Sequence, residues 1–144
     1  MPETRVRGRT RNAVFERAKH RCEYCQTPVA YAIQPFVTEH IIPIARGGKS
    51  ILDNLASACG GCNAFKYDKT EALDPAEGLL CPLFNPRIDV WLEHFTWDAD
   101  FTRIIGLTSV GRATVGALRL NREGLVNIRR LLVLGGEHPP VQDL

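Results

Sequence analysis

The 144-residue sequence predicts an α+β domain: a helix at the N-terminus, a small ββα core over residues 22–70, and a helical extension over residues 71–144 packed on that core. Three observations predict it. Two Cys-x-x-Cys pairs, Cys22/Cys25 and Cys59/Cys62, bracket the central stretch. Between them, two short strand-like segments flank a Gly47-Gly48 loop. Beyond residue 108, apolar residues recur at the spacing of amphipathic helices.

Residues 1–21 read as a basic arm running into a helix. Thr10 is placed to cap that helix, which runs to about His20 with Val14, Phe15 and Ala18 on one face. The Cys22-Glu-Tyr-Cys25 turn stops it. Phe36 to Ile42 reads as a strand ended by Pro43. Asn54 to Ala58 reads as a short returning strand, Gly60-Gly61 as a tight turn, and a helix follows from about Cys62 to Lys69. Asp74-Pro75 and Pro82 to Pro86 mark a loop-like stretch. A hairpin comes next, His94 to Trp97 against Arg103 to Leu107. Thr108 or Ser109 caps a helix bearing Val110, Ala113, Ala117 and Leu118 on one face. Asn121 breaks it, and a last helix, with Leu125, Ile128 and Leu132 on one face, runs to about Leu134 before Gly135-Gly136.

The composition is that of a globular protein, 44% hydrophobic and 24% charged, which argues against disorder. No apolar run approaches a membrane span, and the N-terminus has no apolar core behind its charges. The expectation is a soluble, cytoplasmic protein with no membrane partner. The net charge of +2 conceals an uneven distribution. Residues 1–21 carry seven basic side chains against two acidic, whereas residues 71–100 carry one basic against seven acidic. A basic arm suits phosphate contacts, although charge alone equally fits a solvated tail; the acidic stretch is expected to face away from nucleic acid.

Five cysteines in a chain of reducing-compartment character point to metal rather than disulfides. Each Cys-x-x-Cys pair can place two thiolates on one tetrahedral ion, so Cys22, Cys25, Cys59 and Cys62 are expected to hold one Zn²⁺. Four sulfurs leave no open position for substrate, so this zinc is structural. Four thiolates and Zn²⁺ sum to −2. Cys81 is left over as a small apolar residue.

Between the pairs lies a set of groups suited to catalysis. Glu39 adjoins His40 at a strand end, Asn54 opens the next strand, and Asn63 begins a helix beside the zinc ligand Cys62. Glu39 and Asn63 offer the hard oxygens that Mg²⁺ takes, and His40 can act as a general base near neutral pH. One geometric difficulty stands: in a regular strand Glu39 and His40 point to opposite faces. Singly, each residue is more often structural than catalytic; their joint spacing reverses that.

The run Glu39-His40-Ile41-Ile42-Pro43, then Gly47-Gly48, Asn54-Leu55 and Cys59-Gly-Gly-Cys62-Asn63-Ala-Phe-Lys66 closely resembles the HNH endonuclease family, over about residues 22–66. The resemblance implies a ββα-metal (HNH/His-Me finger) core. It implies that Glu39 and Asn63 hold a catalytic Mg²⁺ or another divalent metal, that His40 activates water, and that Asn54 braces the loop between the strands. Arg46 and Lys66 would grip flanking phosphates. Two positions depart from the commoner pattern: Asn63 stands where His is frequent, and Glu39 where Asp or His is. The function so implied is metal-dependent hydrolysis of DNA phosphodiester bonds. The alternatives are a zinc-stapled module that binds nucleic acid without cutting it, and an accessory subunit.

In the extension, Trp91, Phe95 and Trp97 read as a small core rather than a base-stacking surface, with His94 a polar neighbour. Arg119, Arg122, Arg129 and Arg130 either extend a basic face or solvate the helices.

Overall fold

The computed structural model describes residues 6–141. Its frame is three antiparallel two-stranded hairpins and five helices. Helix α1 (Gly8–Arg17) lies against the first hairpin, β1 (Val37–His40) with β2 (Leu55–Ala58). The register pairs Val37 with Ala58 and His40 with Leu55. Helix α2 (Gly60–Lys66) follows directly, completing the ββα unit. A second hairpin pairs β3 (Glu71–Leu73) with β4 (Leu80–Pro82), and α3 (Trp91–His94) is a single turn. The third hairpin pairs β5 (Phe95–Trp97) with β6 (Ile104–Gly106), followed by α4 (Ser109–Leu118) and α5 (Glu123–Leu134).

Packing explains why these short elements hold. Three-residue strands are not stable alone, and here one hydrophobic cluster joins the cysteine region to the extension. Tyr24, Phe36, Ile41, Ala56 and Ala58 meet Phe84, Trp91, Phe95, Leu118 and Leu125 within it. Polar ties cross the same seam. Trp91 Nε1 donates to Tyr24 O at 3.0 Å, and Arg87 is ion-paired with Glu23, whose other oxygen accepts Ser57 N–H at 2.8 Å. A smaller cluster of Val6, Val14 and Leu55 fastens α1 to β2.

Several local readings are corrected. Helix α1 starts at Gly8 with Arg7 as its cap residue, so Thr10 lies inside the first turn and caps nothing. It ends at Arg17, because Lys19 and His20 adopt left-handed φ values of 55° and 56°. The Gly60-Gly61 pair is not a turn: it lies in the first turn of α2, whose cap is the Cys59 sulfur, accepting from Cys62 N–H. That helix stops at Lys66. The stretch around Asp74 is a hairpin rather than a loop. Asp74, 0% exposed, accepts a bidentate pair from Arg112 at 2.9 and 2.8 Å and the Ala76 N–H at 2.9 Å, and Gly78 supplies the positive φ of 73° that turns the chain. One side chain of the acidic stretch, Asp74, is therefore structural.

In the extension, Thr108 caps α4 by accepting from Gly111 N–H at 3.0 Å. The aromatic run is core: Phe95 is 0% exposed, and Trp91 stacks on both Phe95 and Trp97 with ring centroids 5.0 and 5.3 Å apart. Arg129 is not on a basic face. It is buried, donates to Thr102 O at 3.0 Å, and lies over the Trp97 ring.

Candidate functional site

Two clusters meet at the start of α2. The first is the cysteine set. Cys22 and Cys25 lie on the turn after α1, and Cys59 and Cys62 at the β2–α2 junction. Their four sulfurs all lie within 4.8 Å of one another, with Cys25 Sγ 3.7 Å from Cys59 Sγ. A tetrahedral Zn²⁺ with Zn–S bonds of about 2.3 Å has sulfur–sulfur edges of about 3.8 Å. Each pair also closes a turn in which the second cysteine's N–H points at the first one's sulfur: Cys25 N to Cys22 Sγ at 3.4 Å, Cys62 N to Cys59 Sγ at 3.5 Å. All four cysteines are free of disulfides. Hydrogen bonding from the neighbouring cysteines, Cys22 first, holds the Cys59 thiol far below its ordinary value. A set of four converging sulfurs, backed by N–H donors, fits a zinc ion.

The second cluster surrounds the end of β1. Glu39, His40 and Asn63 line one shallow cavity of about 270 Å³ with Thr38, Pro43, Ile44 and Tyr67. At the end of β1, Glu39 is buried and its neighbour His40 only half-buried, as adjacent strand residues on opposite faces require. The strand ends there, and both residues reach the same cavity.

Glu39 is 3% exposed. Its Oε2 accepts from Tyr24 OH at 2.6 Å, and Lys66 Nζ lies 2.5 Å from Oε1. Lys66 also donates to Ile41 O at 2.9 Å and lies 3.4 Å from His40 O. Burial raises the Glu39 carboxyl above its usual range, and the Lys66 ammonium opposes that shift. The phosphate-gripping role expected of Lys66 is thus overturned. It is 1% exposed, and its charge faces a buried carboxylate rather than solvent.

His40 is half-buried, with Nε2 2.8 Å from Ser50 Oγ. Burial, then the Lys66 charge, lowers its pKa, which favours the neutral imidazole. Asn54 is buried and bridges the loop: Oδ1 accepts from Ile42 N at 2.8 Å, while Nδ2 donates to Ile42 O and Lys49 O, both at 2.9 Å. Gly48 lies against this brace, since a Cβ there would fall 1.7 Å from Ile42 O. Asn63 sits half-buried in the second turn of α2, and among the described residues its carboxamide has no hydrogen-bond partner. Arg46 is exposed on the loop after Pro43, outside the lining of the cavity.

A divalent cation is the group this second site implies. The carboxylate and carboxamide oxygens of Glu39 and Asn63 line one cavity and suit a hard cation. Lys66 already compensates the carboxylate, so an incoming ion must share it.

On the outer side of Thr38 and His40 a second, larger cleft of about 660 Å³ opens, lined by Arg7, Gly8, Arg11, Pro35 and Phe36. Arg11 leans over the Phe15 ring and donates to Phe36 O at 3.2 Å. Sequence reasoning did not find Tyr24, Ser50 or this use of Lys66. A buried Tyr or Lys carries no local signal, because its partner comes from another element.

Residues 22–69, a third of the chain, match the family model described as HNH endonuclease. Neither the curated proteins nor the solved structures contain a match to this chain. The matched segment spans both clusters. It carries an HNH domain, and its mixed α/β architecture with four gathered cysteines fits a ββα-metal fold. Nucleic-acid chemistry is the general business of that family.

Proposed function

We propose that this protein is a metal-dependent DNA endonuclease in which His40 is the general base. The observation that carries the reading is the convergence of Glu39, His40 and Asn63 on one cavity directly beside the cysteine cluster. In the tautomer whose Nε2–H donates to Ser50 Oγ, Nδ1 carries the lone pair that takes the proton from an attacking water. Asn54 holds the backbone on both sides of the loop that carries Ser50. A divalent cation on Glu39 and Asn63 would neutralise charge on the phosphate and the leaving oxygen. Arg7 and Arg11 line the cleft that shares Thr38 and His40 with the cavity, so a strand lying there would present a phosphate to His40.

The test is nicking of supercoiled plasmid with Mg²⁺, Mn²⁺, Co²⁺ or Ni²⁺ at matched, zinc-verified protein. His40→Ala should lose about 10²–10⁴-fold in rate while keeping DNA affinity. Wild-type-like cleavage by His40→Ala would refute the mechanism. One observation favours a second reading, a module that binds nucleic acid without cutting it: the Glu39 carboxylate is already compensated by Lys66 and Tyr24. DNA binding with no nicking under any of the four metals would establish that reading instead.

A further inference from the structure

The extension beyond residue 70 contributes a side chain to the cysteine cluster itself. Arg122, in the corner between α4 and α5, reaches back to the start of α2. Its Nη2 donates to Cys59 Sγ at 3.5 Å and Cys62 Sγ at 3.6 Å, and its Nη1 to Cys62 Sγ at 3.7 Å. The same Nη1 donates to Leu118 O at 3.1 Å and Arg119 O at 3.2 Å, so the guanidinium is held by the end of α4 while it touches the sulfurs. Phe65, one turn along α2, lies under both Arg119 and Arg122, at 4.8 and 5.5 Å from ring centroid to guanidinium. Gly61 is what leaves room. A Cβ at that position would fall 2.5 Å from Arg122 Nη2 and 3.0 Å from its Cζ, against guanidinium atoms alone.

We propose that Arg122 is a positioning residue of the zinc site, a fixed positive charge that stabilises the Cys59 and Cys62 thiolates and makes metal retention depend on the docked extension. The physical basis is charge. A zinc tetrathiolate carries −2, and its N–H···S donors from Cys25 and Cys62 are neutral dipoles. Among the described residues, Arg122 alone places a cationic hydrogen-bond donor on the sulfurs. A planar guanidinium can address two sulfurs at once, which an ammonium cannot do with the same geometry. The asymmetry is specific: Cys59 and Cys62 are covered by Arg122, whereas Cys22 and Cys25 are not. The inference rests on the cysteine cluster holding zinc.

The experiment uses the full chain and reads zinc rather than cleavage. Zinc content of the wild type is measured first, then release to a chromogenic chelator is timed for wild type, Arg122→Met, Arg122→Lys and Gly61→Ala. Losing an outer partner of metal ligands typically weakens metal binding by about 10–100-fold. Arg122→Met should release zinc faster by that order, and Arg122→Lys should fall between it and wild type. Gly61→Ala should also release faster, because it pushes the guanidinium away without removing it, and alanine favours the helix there. Sub-stoichiometric alkylation followed by peptide mapping gives the second readout. Arg122→Met and Gly61→Ala should gain first-hit labelling at Cys59 and Cys62 over Cys22 and Cys25. General loosening would instead raise all four equally, and that result, or wild-type release by Arg122→Met, overturns the proposal. A wild type holding no zinc overturns the metal site and this inference together.

Discussion

Replacing Lys66 by methionine tests the interior of the candidate site. Lys66→Met keeps the length of the side chain but removes the ammonium 2.5 Å from Glu39 Oε1, in a place where both side chains are at most 2% exposed. Removing one partner of a buried ion pair typically destabilises by about 3–5 kcal/mol, because the other charge stays buried and uncompensated. Two carbonyls, Ile41 O and His40 O, also lose their donor. With a urea m-value of about 1–3 kcal/mol/M, the unfolding midpoint should fall by about 2 M. Adding Glu39→Gln removes the stranded charge while the carbonyls remain unserved, so the double variant should recover roughly half of the loss. The assay is urea unfolding of zinc-loaded wild type, both single variants and the double, treated as a double-mutant cycle. A double variant whose loss equals the sum of the two single losses would show no coupling between the two charges, and the ion-pair account of this interior would fail.

Other consequences follow from the same structure. Cys59→Ser, or strong chelator added to wild type, should strip the metal and lower the melting temperature sharply, as read by elemental analysis beside calorimetry; a zinc-free protein indifferent to chelator would refute the cluster's structural role. The Arg112 hydrogen bonds draw the Asp74 carboxyl down to about 2. A carboxylate depressed on folding adds stability that is full above its unfolded pKa and is lost as pH falls toward 2. Wild type should therefore lose more stability than Asp74→Asn between pH 5 and pH 2.5, and parallel acid titrations of the two would contradict this. Arg7→Ala with Arg11→Ala should reduce the slope of log affinity for DNA against log salt by about 2, one for each phosphate left without its arginine. An unchanged slope would place the strand elsewhere.

What the sequence determined by itself was local. Cysteine pairs two residues apart carry their chemistry in their spacing, because a Cys-x-x-Cys turn brings its own sulfurs together wherever it occurs. The strand through Glu39 and His40, the hairpin about residues 98–100 and the helix capped by Thr108 were likewise legible, since period, turn residues and caps act over a few positions. Residues 71–82 were not: three-residue strands are too short to show alternation, and the β3–β4 hairpin holds through the Asp74–Arg112 pair, 38 residues apart in the chain. The destinations of the cations were decided only by the tertiary structure. Lys66, Arg122 and Arg129 have the same local signature as any surface cation. Each instead turns inward, toward Glu39, the Cys59 and Cys62 sulfurs, and the Thr102 carbonyl. A long cationic side chain goes where a buried acceptor awaits it, and that acceptor exists only once distant segments have packed.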